Sequence, residues 1–252
     1  MKDIIKLHCQ KESSKDEKLI VKEYLRKFNK IIQTAVRIPY CTPYCENGRK
    51  NVLEWINMSD FRMDYKFDFY HHSKAEVLKF SIENRGDYDM HLLSMRNLYF
   101  DEYPKPVGKG STYLVSSNGN HRSIVFGCIG LPYVQAYVQK RCDNKWYFYC
   151  RDNILNSYKI IVWLKEFGLI DEIEFYKDSA FLISGKNNIA GWILPDPNLG
   201  SIENMLTDMQ DRFQRIIESF EEVRESNINF PNSRFKSKLL IEYAYIKNKL
   251  IN

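Results

Sequence analysis

The amino-acid sequence predicts an α+β protein, a small mixed sheet with flanking helices, preceded by an amphipathic helix and followed by a helical extension. Three observations predict it. Two long stretches, 16–36 and 202–223, repeat apolar residues at steps of three and four, which is the helical period. Between them, short apolar segments alternate with capped helical ones, the pattern of interleaved strands and helices. Turn residues (Asn, Gly and Pro) separate these segments.

In the first stretch, Leu19, Ile20, Tyr24, Phe28, Ile31, Ile32 and Ala35 form the apolar face. Lys18, Lys22, Arg26, Lys27 and Lys30 stand between them, so the helix is basic and amphipathic. Pro39, Pro43 and Gly48 end it in a loop that holds Cys41 and Cys45. Val52–Phe61 and Met63–Tyr70 read as extended, the second alternating apolar residues with Asp64, Lys66 and Asp68. Ser73 is placed to cap a helix over Lys74–Asn84, with Glu76 completing a capping box and Gly86 as its stop. Met90–Phe100 reads as a strand. After a turn around Pro104, Pro106, Gly108 and Gly110 comes the strand Thr112–Ser117, then a break at Asn118-Gly119-Asn120. His121–Ile129 is the next helix, stopped by Gly130 and Pro132, and Tyr133–Gln139 the next strand.

The aromatic run Trp146–Tyr149, beside Lys145 and Arg151, reads as a buried strand with a wet tyrosine edge; stacking on exposed bases is its alternative. Leu155–Phe167 is helical, Ile173–Tyr176 and Ala180–Ile183 form a hairpin, and Trp192–Leu194 is extended. Ser201 caps the long helix, whose stripe reads as core or as a dimer seam, and a last helix covers Ser233–Leu250. The expected organisation is a basic helix and Cys/Pro loop over 1–50, a central domain over 51–142, and an extension over 143–252.

Composition narrows the class. A 252-residue chain that is 44% hydrophobic buries a sizeable core, which excludes disorder for most of it. The most apolar stretch, Ile124–Val138, is shorter than a membrane span and contains Pro132 and Gln135. Charges run through Met1–Lys18, where a signal peptide has an apolar centre, so no membrane partner and a cytoplasmic location are expected. The six cysteines then read as reduced thiols, with His8, Cys9, Cys41 and Cys45 a loosely spaced zinc set. Residues 1–50 carry 12 Lys and Arg against 6 Asp and Glu, so the whole basic excess is N-terminal, on a surface able to meet DNA.

The most informative window is Tyr113–Val138. A strand enters the turn Asn118-Gly119-Asn120 and a helix starts at once with His121, Arg122 and Ser123. The amides and positive dipole end of such a helix attract anions, Gly119 admits a phosphate to the backbone, and Arg122 pairs with it. His121 adds a hydrogen bond or a proton. A polar strand-to-helix turn with Arg122 in solvent is the plain alternative. Asp60, Asp64, Asp68, Glu76 and Glu83 are the carboxylates from which a Mg²⁺ ligand would come, and His71-His72 is a weaker metal or cleft candidate. Gly108–Thr112 lacks the spacing of a phosphate loop and reads as a turn.

Gly-Asn-His-Arg after Tyr-Leu-Val-Ser-Ser, and before a short helix and Gly130, resembles the signature turn of the ParB/sulfiredoxin superfamily. Ile56–Arg62 and Ala75–Gly86 are similar to the opening strand and a helix of ParB N-terminal domains, so the likeness spans about residues 52–140. It implies a ParB/sulfiredoxin-like sheet and a nucleoside triphosphate, CTP or ATP with Mg²⁺, held at Asn118, Gly119, Asn120, His121, Arg122 and Ser123, in DNA-associated biology. Hydrolysis or phosphoryl transfer would use His121 and Arg122. Asn120 stands where sulfiredoxins carry their catalytic Cys, and Asn118 where the related serine kinases carry an acid, so neither chemistry follows. A nucleic-acid-binding or inhibitory protein on the same fold, and a ParB-like nuclease, are the alternatives. A homodimer is compatible with either.

Overall fold

A computed structural model of the chain describes residues 1–65, 74–116, 119–141, 145–150, 153–176, 179–226, 228, 230 and 234–251. The elements in chain order are α1 (Lys2–Ser13), α2 (Glu17–Gln33), β1 (Thr42–Pro43), β2 (Asn51–Asn57), β3 (Phe61–Arg62), α3 (Lys74–Glu83), α4 (Tyr88–Met95), β4 (Tyr99–Pro104) and β5 (Ser111–Val115). They continue with α5 (Asn120–Ile129), β6 (Tyr133–Gln139), β7 (Trp146–Tyr149), α6 (Ile154–Glu166), β8 (Glu172–Tyr176) and β9 (Ala180–Ser184). The last four are α7 (Ile189–Ile193), α8 (Ile202–Ser219), α9 (Glu221–Glu225) and α10 (Arg234–Ile251). The fold is α+β, as the sequence predicts.

Two compact units form. The first takes Met1–Val36, Arg49–Tyr103 and Ser111–Lys140; the second takes Arg37–Gly48, Pro104–Gly110 and Arg141–Asn252. The basic helix therefore belongs to the same unit as the Asn-Gly-Asn turn.

In the first unit a five-stranded mixed sheet has the order β2-β6-β4-β5-β3. β2 runs antiparallel to β6, pairing Asn51 with Gln139 through Asn57 with Tyr133, while β4 is parallel to β6 and β3 parallel to β5. The inward side chains Ile56, Phe100, Val134, Ala136 and Val138 join Ile20, Tyr24 and Phe28 of α2 and Ile124, Phe126 and Ile129 of α5 in one core. Asp16 starts α2, its carboxylate accepting from the amides of Lys18 and Leu19.

Two elements depart from the sequence expectation. α1 stands where none is predicted, because its buried stripe is Ile5, Cys9 and Glu12 while Leu7 is 65% exposed. A buried carboxylate hides the helical period; Glu12 is tolerated there because the Tyr24 hydroxyl donates to it at 2.9 Å and Lys15 lies 2.7 Å away. The stretch Met90–Phe100, expected as a strand, is α4 followed by β4. Asp87 caps α4 by accepting from the Met90 amide at 2.9 Å, and only His91 and Met95 of this helix are buried, so an inward His and an outward Leu93 mask its period.

In the second unit the strand order is β1-β7-β9-β8, all antiparallel. Trp146 and Phe148 face inward and Tyr149 outward, as a strand with a wet edge requires. α8 carries the predicted stripe, with the Ser201 hydroxyl accepting from the Asn204 amide at its start. It ends at Ser219, where Phe220 turns extended, so the stripe's last residue, Val223, lies on the separate α9. Trp192–Leu194, expected as extended, falls mainly on α7; all five residues of this helix are buried, and a segment apolar on every side has no period to read.

The polar centre of this unit is Arg212, 2% exposed. Its Nε donates to Asp208 at 2.8 Å, its Nη1 to the Ile38 carbonyl at 3.1 Å, and its guanidinium lies 4.2 Å from the Tyr40 ring centroid. Asp208 also accepts from Arg37. Removing the carboxylate would leave a desolvated cation. Asp208→Ala is expected to destabilise the protein by about 3 kcal/mol, whereas Glu221→Ala, in the exposed pair with Arg224, is expected to cost less than about 0.5 kcal/mol. Urea unfolding of both variants checks this, and equal losses would reject the role given to Asp208.

Candidate functional site

The site is built by the entry into α5. The strand β5 stays paired past its end, the Ser116 amide donating to the Tyr99 carbonyl at 3.0 Å; Ser117 and Asn118 lie outside the described residues. Gly119 follows with φ 124°, and a Cβ there would come within 2.7 Å of Leu98 Cδ2. The positive φ requires glycine, and a side chain would in addition have to displace Leu98. Gly119 brings no side chain to cap α5, in contrast to Asp16, Asp87 and Ser201 at their helices. The positive end of the helix dipole is thus at Asn120–Arg122.

The predicted residues separate by place. The guanidinium of Arg122 donates through Nη1 to the Ser94 carbonyl at 2.9 Å and through Nη2 to the Asn97 carbonyl at 3.1 Å. It is not loose in solvent; it ties the C-terminal end of α4 to the first turn of α5. Two of its five N–H groups are used in this way. Ser123 is turned inward: its amide closes the first helical bond to Gly119 at 2.8 Å and its hydroxyl is fully buried, so it is not at the helix mouth. The Asn120 Oδ1 is buried without a hydrogen-bond partner.

His121 and Arg122 line a pocket of about 310 Å³ between α3, α4 and α5. Val77, Phe80, Met90, Val125 and Phe126 supply its apolar walls, and Glu76 is a further polar group on its lining. His91, from α4, also lines it. The sequence reading missed His91 because it assigned this stretch to a strand; Asp87, a good helix cap four residues earlier, is the signal that would have found it. His91 is fully buried, its ring edge-on to Phe126 with centroids 5.7 Å apart, and neither ring nitrogen completes a hydrogen bond. Burial lowers its pKa from the ordinary 6.5, outweighing Asp87 and the nearby main chain of Asn84 and Arg85. The ring is neutral.

No family model, curated protein or solved structure matches the chain.

The remaining candidates are dispersed. Asp60 ends the 3-10 turn at Met58–Asp60, Asp64 bridges to Val36, and Glu83 lies 3.9 Å from Lys79, while Asp68 and His71-His72 are outside the described residues. Among the described members of this set, Glu76 is the one that lines the pocket. Of the stretch Gly108–Thr112, residues 108–110 are a turn and Ser111 and Thr112 begin β5. The zinc set is corrected: Cys45 is in a disulfide, which also departs from the reduced-thiol expectation, and the His8 ring nitrogen is 3.1 Å from the Ile129 carbonyl. Burial pushes the Cys9 thiol up to about 11 and Cys41 well above its usual value, so neither offers a thiolate. Among the described residues no three His, Cys, Asp or Glu side chains gather as a metal site, and no helix is long and apolar enough to cross a membrane.

The His91 shift has a pH signature. Unfolded, the ring takes a proton near pH 6.5; folded, it does so only at lower pH. Its contribution to stability is therefore complete above that value and lost as the pH falls through it. Unfolding free energy is expected to decline from about pH 7 to about pH 5.5, less steeply in His91→Phe. Equal slopes in the two proteins would remove this assignment.

Proposed function

We propose that the first unit binds a nucleoside triphosphate, CTP or ATP with Mg²⁺, in the pocket at the start of α5. The observation that carries this reading is the pocket's mixed lining. The first turn of α5 and the Arg122 cation are suited to phosphate oxygens. Val77, Phe80, Met90, Val125 and Phe126 are suited to an uncharged planar group and hostile to a charge. A nucleotide is a ligand with both kinds of surface. Arg122, held by two main-chain carbonyls, would meet the phosphates with little side-chain entropy left to lose. Glu76 is the pocket carboxylate that would face a Mg²⁺ ion keeping most of its waters. If the nucleotide is turned over, Arg122 would balance charge on the transferred phosphoryl group and His121 would donate a proton.

Calorimetric titration with CTP, ATP and GTP in the presence of Mg²⁺ tests this. The native protein is expected to bind at least one of them. Arg122→Ala, shown to be folded by circular dichroism, is expected to bind about tenfold or more weakly. No binding by the native protein, or equal binding by the variant, would sink the proposal.

A second surface favours DNA association. Lys15 and Lys27 of the basic region are consumed by Glu23, 3.0 Å and 2.7 Å away, which holds that carboxyl down at about 2. Lys18, Lys22, Arg26 and Lys30 are exposed, and among the described residues they have no ion-pair partner. Four residues apart, they climb α2 in steps of about 6 Å. Most of the apolar face of this helix is spent in the core, with Leu19 and Val21 left exposed, which is little for a lipid surface. Four phosphate contacts predict that duplex affinity falls with salt at a log–log slope of about −3.6, independent of nucleotide. Replacing all four with Gln should abolish it. Affinity indifferent to salt would reject this surface.

A further inference from the structure

We infer that the free edge of β8 docks an extended peptide of alternating apolar and basic residues, which adds a strand to the second unit's sheet and seats its apolar side chains against α6. The inference is independent of the nucleotide reading, which concerns the first unit.

β8 ends the strand order β1-β7-β9-β8, and among the described residues its ladder is with β9 alone. Every second amide and carbonyl along such a strand points away from its partner and is open to another backbone. Side chains divide by face. Ile173 and Phe175, opposite Ile183 and Phe181 of β9, stand on the α6 side, and Glu172 and Glu174 on the other. α6 covers β9, where Tyr158 stacks on Phe181 with ring centroids 5.7 Å apart. It leaves the Phe175 ring, edge-on to Phe181, 63% exposed. Between α6 and β8 runs a groove of about 470 Å³ walled by Leu155, Tyr158, Val162 and Phe175. Lys165 of α6 also lines it, on the apolar side of the sheet, where its methylenes extend the wall. Edge strands are ordinarily guarded by charge, a bend or a cover, and an exposed Phe over an apolar groove is the reverse of a guard.

Charge selects the occupant. Glu172 and Glu174 are both exposed. Among the described residues the Glu172 carboxylate has the Ser184 hydroxyl 3.3 Å away and no cation, while Glu174 is in an exposed pair with Lys145. A second copy pairing antiparallel about the middle of β8 would set Glu174 against its own symmetry mate, a destabilising contact. A strand with Lys or Arg at those positions meets opposite charge instead, and its intervening residues fall over the groove.

Calorimetric titration of the full chain with the blocked peptide Lys-Val-Lys-Phe-Lys-Val-Lys tests this. The controls are the same peptide with Glu for every Lys, and two forms N-methylated at the odd or at the even positions. The native protein is expected to bind the basic peptide at least about tenfold more tightly than the acidic one. One N-methylated form should lose binding and the other keep it, since only alternate amides of an added strand face β8. The double variant Glu172→Lys, Glu174→Lys should reverse the charge preference, and Phe175→Ser should weaken binding of the basic peptide. The N-methylated pair needs no variant, so it decides the matter if the charge-reversed protein does not fold. No binding, the same result with both N-methylated forms, or a charge preference unchanged in a folded double variant overturns the proposal. So does a native dimer in sedimentation that Phe175→Ser converts to monomer, because a second copy then holds the edge.

Discussion

The first unit depends on how closely α5 is seated against α2. Gly127 lies at this contact: a Cβ there would come within 2.6 Å of Ile31 Cδ1, so a larger residue would have to displace the Ile31 side chain. With glycine, Ser123, Ile124, Val125, Phe126, Cys128 and Ile129 are all buried. The large apolar members each contribute about 1.5–3 kcal/mol of transfer free energy, enough to hold a ten-residue helix that would not persist alone in water.

The same seating explains the position of α4. An eight-residue helix with two buried side chains has little packing of its own. It is held at one end by the Asp87 cap and at the other by Arg122, whose guanidinium takes the carbonyls of Ser94 and Asn97. One of the residues that line the pocket is therefore also the clamp on the helix that carries His91.

Charge is sorted in both units by the same rule. Where a charged group is buried, as with Glu12 or Arg212, it has several partners; exposed charges vary, from the Glu221–Arg224 pair to Lys18, Lys22, Arg26 and Lys30, which have no ion-pair partner among the described residues. A cation paired with a carboxylate and desolvated, like Arg212, gains little by changing partners.

By itself the sequence determined the α+β class, the α2 and α8 stripes, the β6 and β8–β9 strands, and the local turn at Gly119 that opens α5. Each is written in neighbouring residues: a hydrophobic period, a cap, or a glycine where the backbone takes a positive φ. α1, α4 and α7 were not legible, since a buried Glu12, a buried His91 beside an exposed Leu93, and a wholly buried segment each erase the period. The pocket was beyond reach for a related reason. That Arg122 ends on the carbonyls of α4, and that His91 shares a cavity with His121, thirty positions away in the chain, are facts of long-range packing. Only tertiary structure decides them, because the partners that satisfy or deprive a polar group are chosen by the fold and not by its neighbours in sequence.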